Sequence, residues 1–200
     1  MVEKRVRSES RGPGRPRDER VDRAVLGAVV ALVAEGGLAT VTMDAVALRA
    51  GVGKMTIYRR WPTKQDLLIA AAEARVGPLS VPDLGDFRAE LRVVLETRLK
   101  VYREPGIDRL LAAVIGAAAE ADAVRSAYGA YSARVMAETR NILERGIARG
   151  EVRPDTDVRS VATMVAAPLV FRLVGEMEQP DGALVDTVVE LVSRAVATRD

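Results

Sequence analysis

The eleven positions from Lys54 to Lys64 hold Lys54, Met55, Thr56, Tyr58, Arg59, Arg60 and Lys64. These side chains suit contact with double-stranded DNA. Lysine and arginine neutralise phosphates or donate to guanine edges, a threonine hydroxyl bonds either partner, and a methionine can pack on a thymine methyl. Other chemistries are poorly served. Histidine and cysteine are both absent, which removes the commonest general base, the usual zinc ligands, disulfides and a thiol redox centre. The sequence Gly12-Pro13-Gly14-Arg15-Pro16 precedes no strand–helix unit, so it is not a phosphate loop. No activating base is recognisable beside Ser80, Ser126, Ser132 or Ser160. The chain is expected not to be an enzyme and to carry no cofactor or metal.

The elements that must position the basic cluster can be read from local patterns. Thr42 is a good N-cap for a helix on which Met43, Val46 and Ala47 fall at inward spacing and Asp44 and Arg49 point outward. Gly51 supplies a left-handed stop, with Val52 folding back to the core. A second short helix is expected over about Lys54–Arg60, anchored by Ile57 and Trp61, and Pro62 ends it. Thr63 with Asp66 then has the spacing of a capping box. Helix, glycine turn and helix make a helix-turn-helix, a unit that also occurs in inert helical cores.

The run GVGKMTIYRRWPTKQDLL resembles the TetR-type family of bacterial transcription regulators, whose signature is a Gly-Val turn, a Thr-hydrophobic-Tyr recognition helix and a Lys opening the next helix. The likeness extends back through Gly36–Gly37 and Thr40–Val46, and covers roughly residues 15–72. One departure is Gly53, where the family often has Ser, so the recognition helix has a weaker N-cap here. The resemblance implies that Tyr58 and Lys64 hold phosphates. Lys54, Met55 and Thr56, at the start of the helix, are expected to face bases, with Arg59 and Arg60 on guanine or backbone and Thr42 nearby.

Charge is unevenly distributed. Residues 1–64 carry 13 Lys and Arg against 7 Asp and Glu, and the remainder carries 17 against 21. A basic front suits a polyanion. Residues 1–17 are expected to be a disordered basic arm, in which Gly14-Arg15-Pro16-Arg17 resembles an AT-hook core, with Arg15 and Arg17 set for the minor groove. The first helix is expected from Asp18 to Gly36–Gly37. Acidic residues Asp18, Glu19 and Asp22 before the apolar run Ala24–Ala34 argue against a secretory signal. No apolar stretch is expected to approach the roughly 18–20 residues that span a bilayer. The chain is expected to be cytoplasmic, without a membrane partner.

Strand signals are scarce, so the expected fold is all-α. An N-terminal three-helix DNA-binding domain over 18–64 follows the arm, helix 63–75 links onward, and 65–200 forms a larger helical effector-binding and dimerisation domain. Phe87, Leu91, Val94, Leu95 and Arg98 mark a long amphipathic helix that ends before Pro105–Gly106. Residues 107–121 are almost wholly apolar and suggest a helix buried on most faces. One long helix is expected over 122–149, and two more before the C-terminus.

Stripes Val158, Val161, Ala162, Val165, Leu169 and Leu184, Val188, Leu191, Val192, Ala195 sit on helices apolar on more than one face. The resemblance implies a homodimer through a four-helix bundle of these helices, reading a palindromic operator. It also implies a small-molecule pocket in the second domain whose occupancy moves the fourth helix. Candidate lining residues are Leu91, Leu95, Tyr102, Leu110, Val114, Tyr128, Tyr131, Val135 and Phe171. The expected function is a repressor released from DNA by an effector. Alternatives are a constitutive or architectural DNA-binding protein of this fold, and a helical carrier or enzyme whose helix-turn-helix is structural.

Overall fold

The structure, a computed structural model, describes the backbone of residues 15–198 and the side chains of 19–198. Among the described residues it contains ten α-helices and no strand, with one isolated antiparallel bridge between Val152 and Ala197. α1 (Arg15–Gly36) opens three residues before the expected Asp18. Pro16 is tolerated there because a first-turn amide has no helical partner to lose. The expected extended Gly14-Arg15-Pro16-Arg17 core is therefore helical from Arg15 on. Residues 1–14 and the side chains of Arg15 and Arg17 lie outside the described residues.

After a 3₁₀ turn at Leu38–Thr40 come α2 (Met43–Ala50), α3 (Lys54–Tyr58) and α4 (Lys64–Arg75). Val25, Val29 and Val33 of α1 pack with Val46, Ala47, Ile57 and Leu67 at the centre of this unit. α4 lies against α1 on one side and against α6 and α7 on the other, so the front shares a continuous apolar core with the rest.

The body comprises α5 (Phe87–Tyr102), α6 (Ile107–Glu120), α7 (Asp122–Val135), α8 (Ala137–Ala148), α9 (Val158–Val170) and α10 (Gly182–Val196). α6 buries Ile107, Leu110, Leu111, Val114 and Ala118, while Gly116 and Ala119 are exposed, so one face rather than most is enclosed. The single helix expected over 122–149 is two helices that meet at Met136. One cause is visible: Arg98 donates to the Val135 carbonyl, which an unbroken helix would offer to the Thr139 amide.

One contact ties the body together and another joins it to α1. Glu90 is fully buried on α5 and accepts from the Leu84 amide (2.9 Å) and from Arg145 (3.0 Å), with Arg149 at 3.2 Å. The turn before α6 touches α1. Gly106 has φ 82°, and a Cβ there would lie 2.8 Å from the Ala34 Cα and Cβ, so only glycine fits. Arg109 reaches the Ala34 carbonyl from the same side at 3.4 Å.

α9 continues through Pro168 into a π turn at Phe171–Gly175. Together they form an 18-residue segment, Val158–Gly175, with mean hydropathy 1.5, long and apolar enough to cross a membrane by length and composition. This corrects the expectation that no stretch approaches that length. Its apolarity is divided between two faces, because Ala162, Val165 and Leu169 are buried within the protomer while Met164, Ala167 and Phe171 are exposed. The same division holds on α10, where Val185, Val188 and Val189 face inward and Leu191 and Ala195 outward. Ala162, Val165, Leu169 and Val188 thus belong to the protomer's own core, a correction to their expected place at a dimer face. Val158, Val161, Leu184 and Val192 are half-buried at its edge.

Candidate nucleic-acid interface

The turn that presents α3 is fixed by its backbone. Gly51 adopts φ 66° and ψ 33°, its amide donates to the Leu48 carbonyl (3.3 Å), and the Val52 amide donates to Ala47 (3.1 Å). This pair of bonds is a Schellman motif, with Val52 packing back on the core. Thr42 caps α2 by accepting from the Ala45 amide at 3.1 Å. Thr63 and Asp66 form the reciprocal capping box that opens α4. Gly53 precedes α3 without a side-chain cap.

α3 is shorter than expected, but helical bonds continue past it: Arg59 and Trp61 donate to Met55 (3.2 Å) and Ile57 (2.9 Å). Its single fully buried residue is Ile57. Positions 54, 55, 58 and 59 share the opposite face, and Lys54, Met55, Tyr58 and Arg59 are all exposed there, Met55 by 78%. Thr56 is half-buried beside them. Lys54 is held by Asp44 of α2 in an ion pair, whereas Arg59 has no ion-pair partner among the described residues. Arg60, expected on DNA, instead turns inward and pairs with Asp22 of α1, so its guanidinium braces the three-helix unit. Lys64 is half-buried and donates one proton to the Leu38 carbonyl at 2.9 Å. Leu48 of α2, absent from the expected set, is 86% exposed next to the turn. Its outward place on α2 was the available signal. Glu35 and Arg49 form a bidentate pair between α1 and α2, and the hydrogen bond from Arg49 holds the Glu35 carboxyl below its ordinary value.

The body holds two adjoining cavities. One, of about 20 Å³, is lined by Leu95, Arg98, Tyr102, Thr139 and Val165 among others. The second, of about 60 Å³, is bounded by Tyr102, Leu111, Tyr128, Tyr131 and Val170. Val135 and Met136 line both. Of the expected lining residues, Leu95, Tyr102, Tyr128, Tyr131 and Val135 reach these cavities. Leu91, Leu110 and Val114 are buried but line neither, because they face the centre of the helix packing. Phe171 is 63% exposed, which removes it from any interior pocket. Burial pushes the hydroxyls of Tyr102, Tyr128 and Tyr131 above the usual phenol range, so they remain neutral.

A glycine-turned helix with a polar, basic outer face, seated on a compact three-helix unit and followed by an all-helical body, defines a helix-turn-helix DNA-binding regulator. The comparisons agree. The family model described as bacterial regulatory proteins of the tetR family matches residues 25–71, and the tetracyclin repressor-like C-terminal domain matches 81–192. The chain is 31% identical to the HTH-type transcriptional regulator YdeS of Bacillus subtilis over 166 residues, covering 80% of this chain and 81% of that one. It is 32% identical to the regulator AqdR of Rhodococcus erythropolis over 146 residues, 72% and 70% of the two chains. The crystal structure of the TetR family regulator SCO0332 superposes with a TM-score of 0.72 at 32% identity, over 90% of this chain and all of that one. FadR of Bacillus subtilis in complex with stearoyl-CoA shares the fold, with a TM-score of 0.65 at 22% identity over 86% and 98%. The chain belongs to the TetR family and is a DNA-binding transcriptional regulator.

Proposed function

We propose that this regulator is a homodimeric repressor that leaves a palindromic operator when a small molecule enters its body. The observation that carries the reading is the outer face of α3. Lys54, Met55, Tyr58 and Arg59 lie together on it, and Thr56 borders them. Lys54, Met55 and Thr56 read base edges, while Tyr58, Arg59, Lys64 and Thr42 hold phosphates; Arg15 and Arg17 add charge at the start of α1. One such helix spans only a few base pairs, so specificity requires two related by a twofold axis. The exposed apolar residues of α9 and α10 supply a surface for that pairing. The chain divides functionally near residue 64, with α4 as the link, and works in the cytoplasm, where the bacterial chromosome lies.

The paired cavities support an effector site, as does the fold shared with a FadR that holds stearoyl-CoA. At about 20 and 60 Å³ they are far below the roughly 300 Å³ of a ligand pocket, so this conformation is the closed one. A ligand binds by favouring a conformation in which the α7–α8 junction stands further from α5 and α9.

Selection of genomic fragments on the full chain tests the reading. Recovered DNA should contain an inverted repeat. Thr56→Ala should change which bases are preferred, whereas Tyr58→Phe should weaken binding similarly across sequences. Fragments without a shared repeat, or binding indifferent to both changes, would refute it.

A further inference from the structure

The Arg98 guanidinium is 7% exposed and has no carboxylate partner among the described residues. It donates to two backbone carbonyls, Gly77 at 2.7 Å and Val135 at 3.1 Å, and faces the smaller cavity. Nearby acids are engaged elsewhere: Glu73 pairs with Arg134, and Glu90 and Glu138 with Arg145. A buried cation is costly unless its charge is met, and carbonyl dipoles meet it only in part. Three of its five N–H donors remain for a guest. The rest of the lining is apolar, apart from Thr139, Ser132 and neutral tyrosines.

From this cavity, and resting on the effector reading above, we propose that the effector is an apolar carboxylate whose head binds Arg98. The guanidinium fork matches a planar carboxylate, and such charge-assisted bonds are about twice as strong as those to neutral carbonyls. The same bond is the trigger. Gly77 follows the last turn of α4, whose end is also held by Tyr131, donating to the Val76 carbonyl (3.3 Å), and by Arg134 on Glu73. A carboxylate held by the free donors draws the guanidinium toward the cavity and away from the Gly77 and Val135 carbonyls. It loosens the C-terminal end of α4 and the junction of α7 with α8 in one step. The helix that carries the reading head is thereby freed at its body end.

The test uses hexanoate and octanoate against hexanamide and octanamide, matched in tail and differing in charge, by titration calorimetry on the full chain. Each acid should bind about tenfold tighter than its amide. Arg98→Met should erase that preference, so that acid and amide bind alike, and Arg98→Lys should retain part of it. Amide hydrogen exchange over 74–79 should rise with octanoate and not with octanamide. Amides binding as well as acids, or a preference that survives Arg98→Met, would overturn the carboxylate proposal and leave the effector cavity standing. Silence from acids and amides alike would overturn both. The acid–amide comparison on the unaltered chain decides the matter even where Arg98→Met does not fold.

Discussion

Leu191→Glu should dissociate the dimer while leaving each protomer folded. Leu191 is 60% exposed near the middle of α10, flanked on the same face by Thr187 and Ala195, so it adds little to the protomer's core. Leucine and glutamate have similar helix propensity, so α10 is not weakened. Full burial of a leucine side chain contributes about 1.5–3 kcal/mol, so covering the exposed portion contributes about 1–2 kcal/mol per copy. Twofold symmetry counts it twice, giving about 2–4 kcal/mol, or roughly 30- to 1000-fold in dissociation constant before any cost of burying the new charge. Sedimentation velocity at micromolar concentration should show the unaltered protein at twice the 21.5 kDa chain mass and Leu191→Glu at the single mass. Circular dichroism should be unchanged. Operator affinity should fall with the dimer, because a lone head reads half a site. Leu191→Glu sedimenting as a dimer at the unaltered concentration dependence would refute this assignment of the face.

Glu90→Gln should be among the most destabilising isosteric changes. It removes the charge that Arg145 and Arg149 share, leaving them their outer partners Glu138, Asp83 and Glu151. A loss of about 2–4 kcal/mol is expected, seen as a melting point lower by roughly 5–15 °C in calorimetry. The two turn glycines should respond oppositely. Gly51→Ala meets no atom but must hold φ 66°, costing about 1 kcal/mol in chemical denaturation and weakening DNA binding. Gly53→Ser, at φ −72° in open space, should add a cap to α3 and gain a few tenths of a kcal/mol.

The reading head was the most legible part of the sequence because its signals are local. Thr42, Gly51 and Thr63 each act on backbone within five residues, so their roles follow from type and spacing. Legibility fails where distant elements decide. Arg60 sits in sequence among the cations expected on DNA, yet its direction is set by Asp22 on α1. On α9 and α10, both faces are apolar, so periodicity finds two stripes without saying which meets the protomer's own core. Ala162 and Val165 turn in, Met164 and Ala167 out. No residue around Met136 disfavours helix, and the Val135 carbonyl at the break is taken by Arg98 from another element. Arg98 did leave a trace, as a cation standing in the apolar stripe of α5.

The approach of Gly106 to Ala34 gives the reading head a fulcrum. Most joints between head and body run through side chains, which change rotamer and yield. At Gly106 the backbone sits directly on Ala34, with no rotatable side chain between them, so the contact cannot be compressed. The contact resists any motion that presses the end of α1 onto the body. Were the end of α4 loosened as proposed, the head would turn on this point, and in the proposed dimer such a turn would alter the spacing between the two recognition helices. A larger residue at position 106 would have to push the end of α1 off this contact, and the setting of the head would follow that wedge.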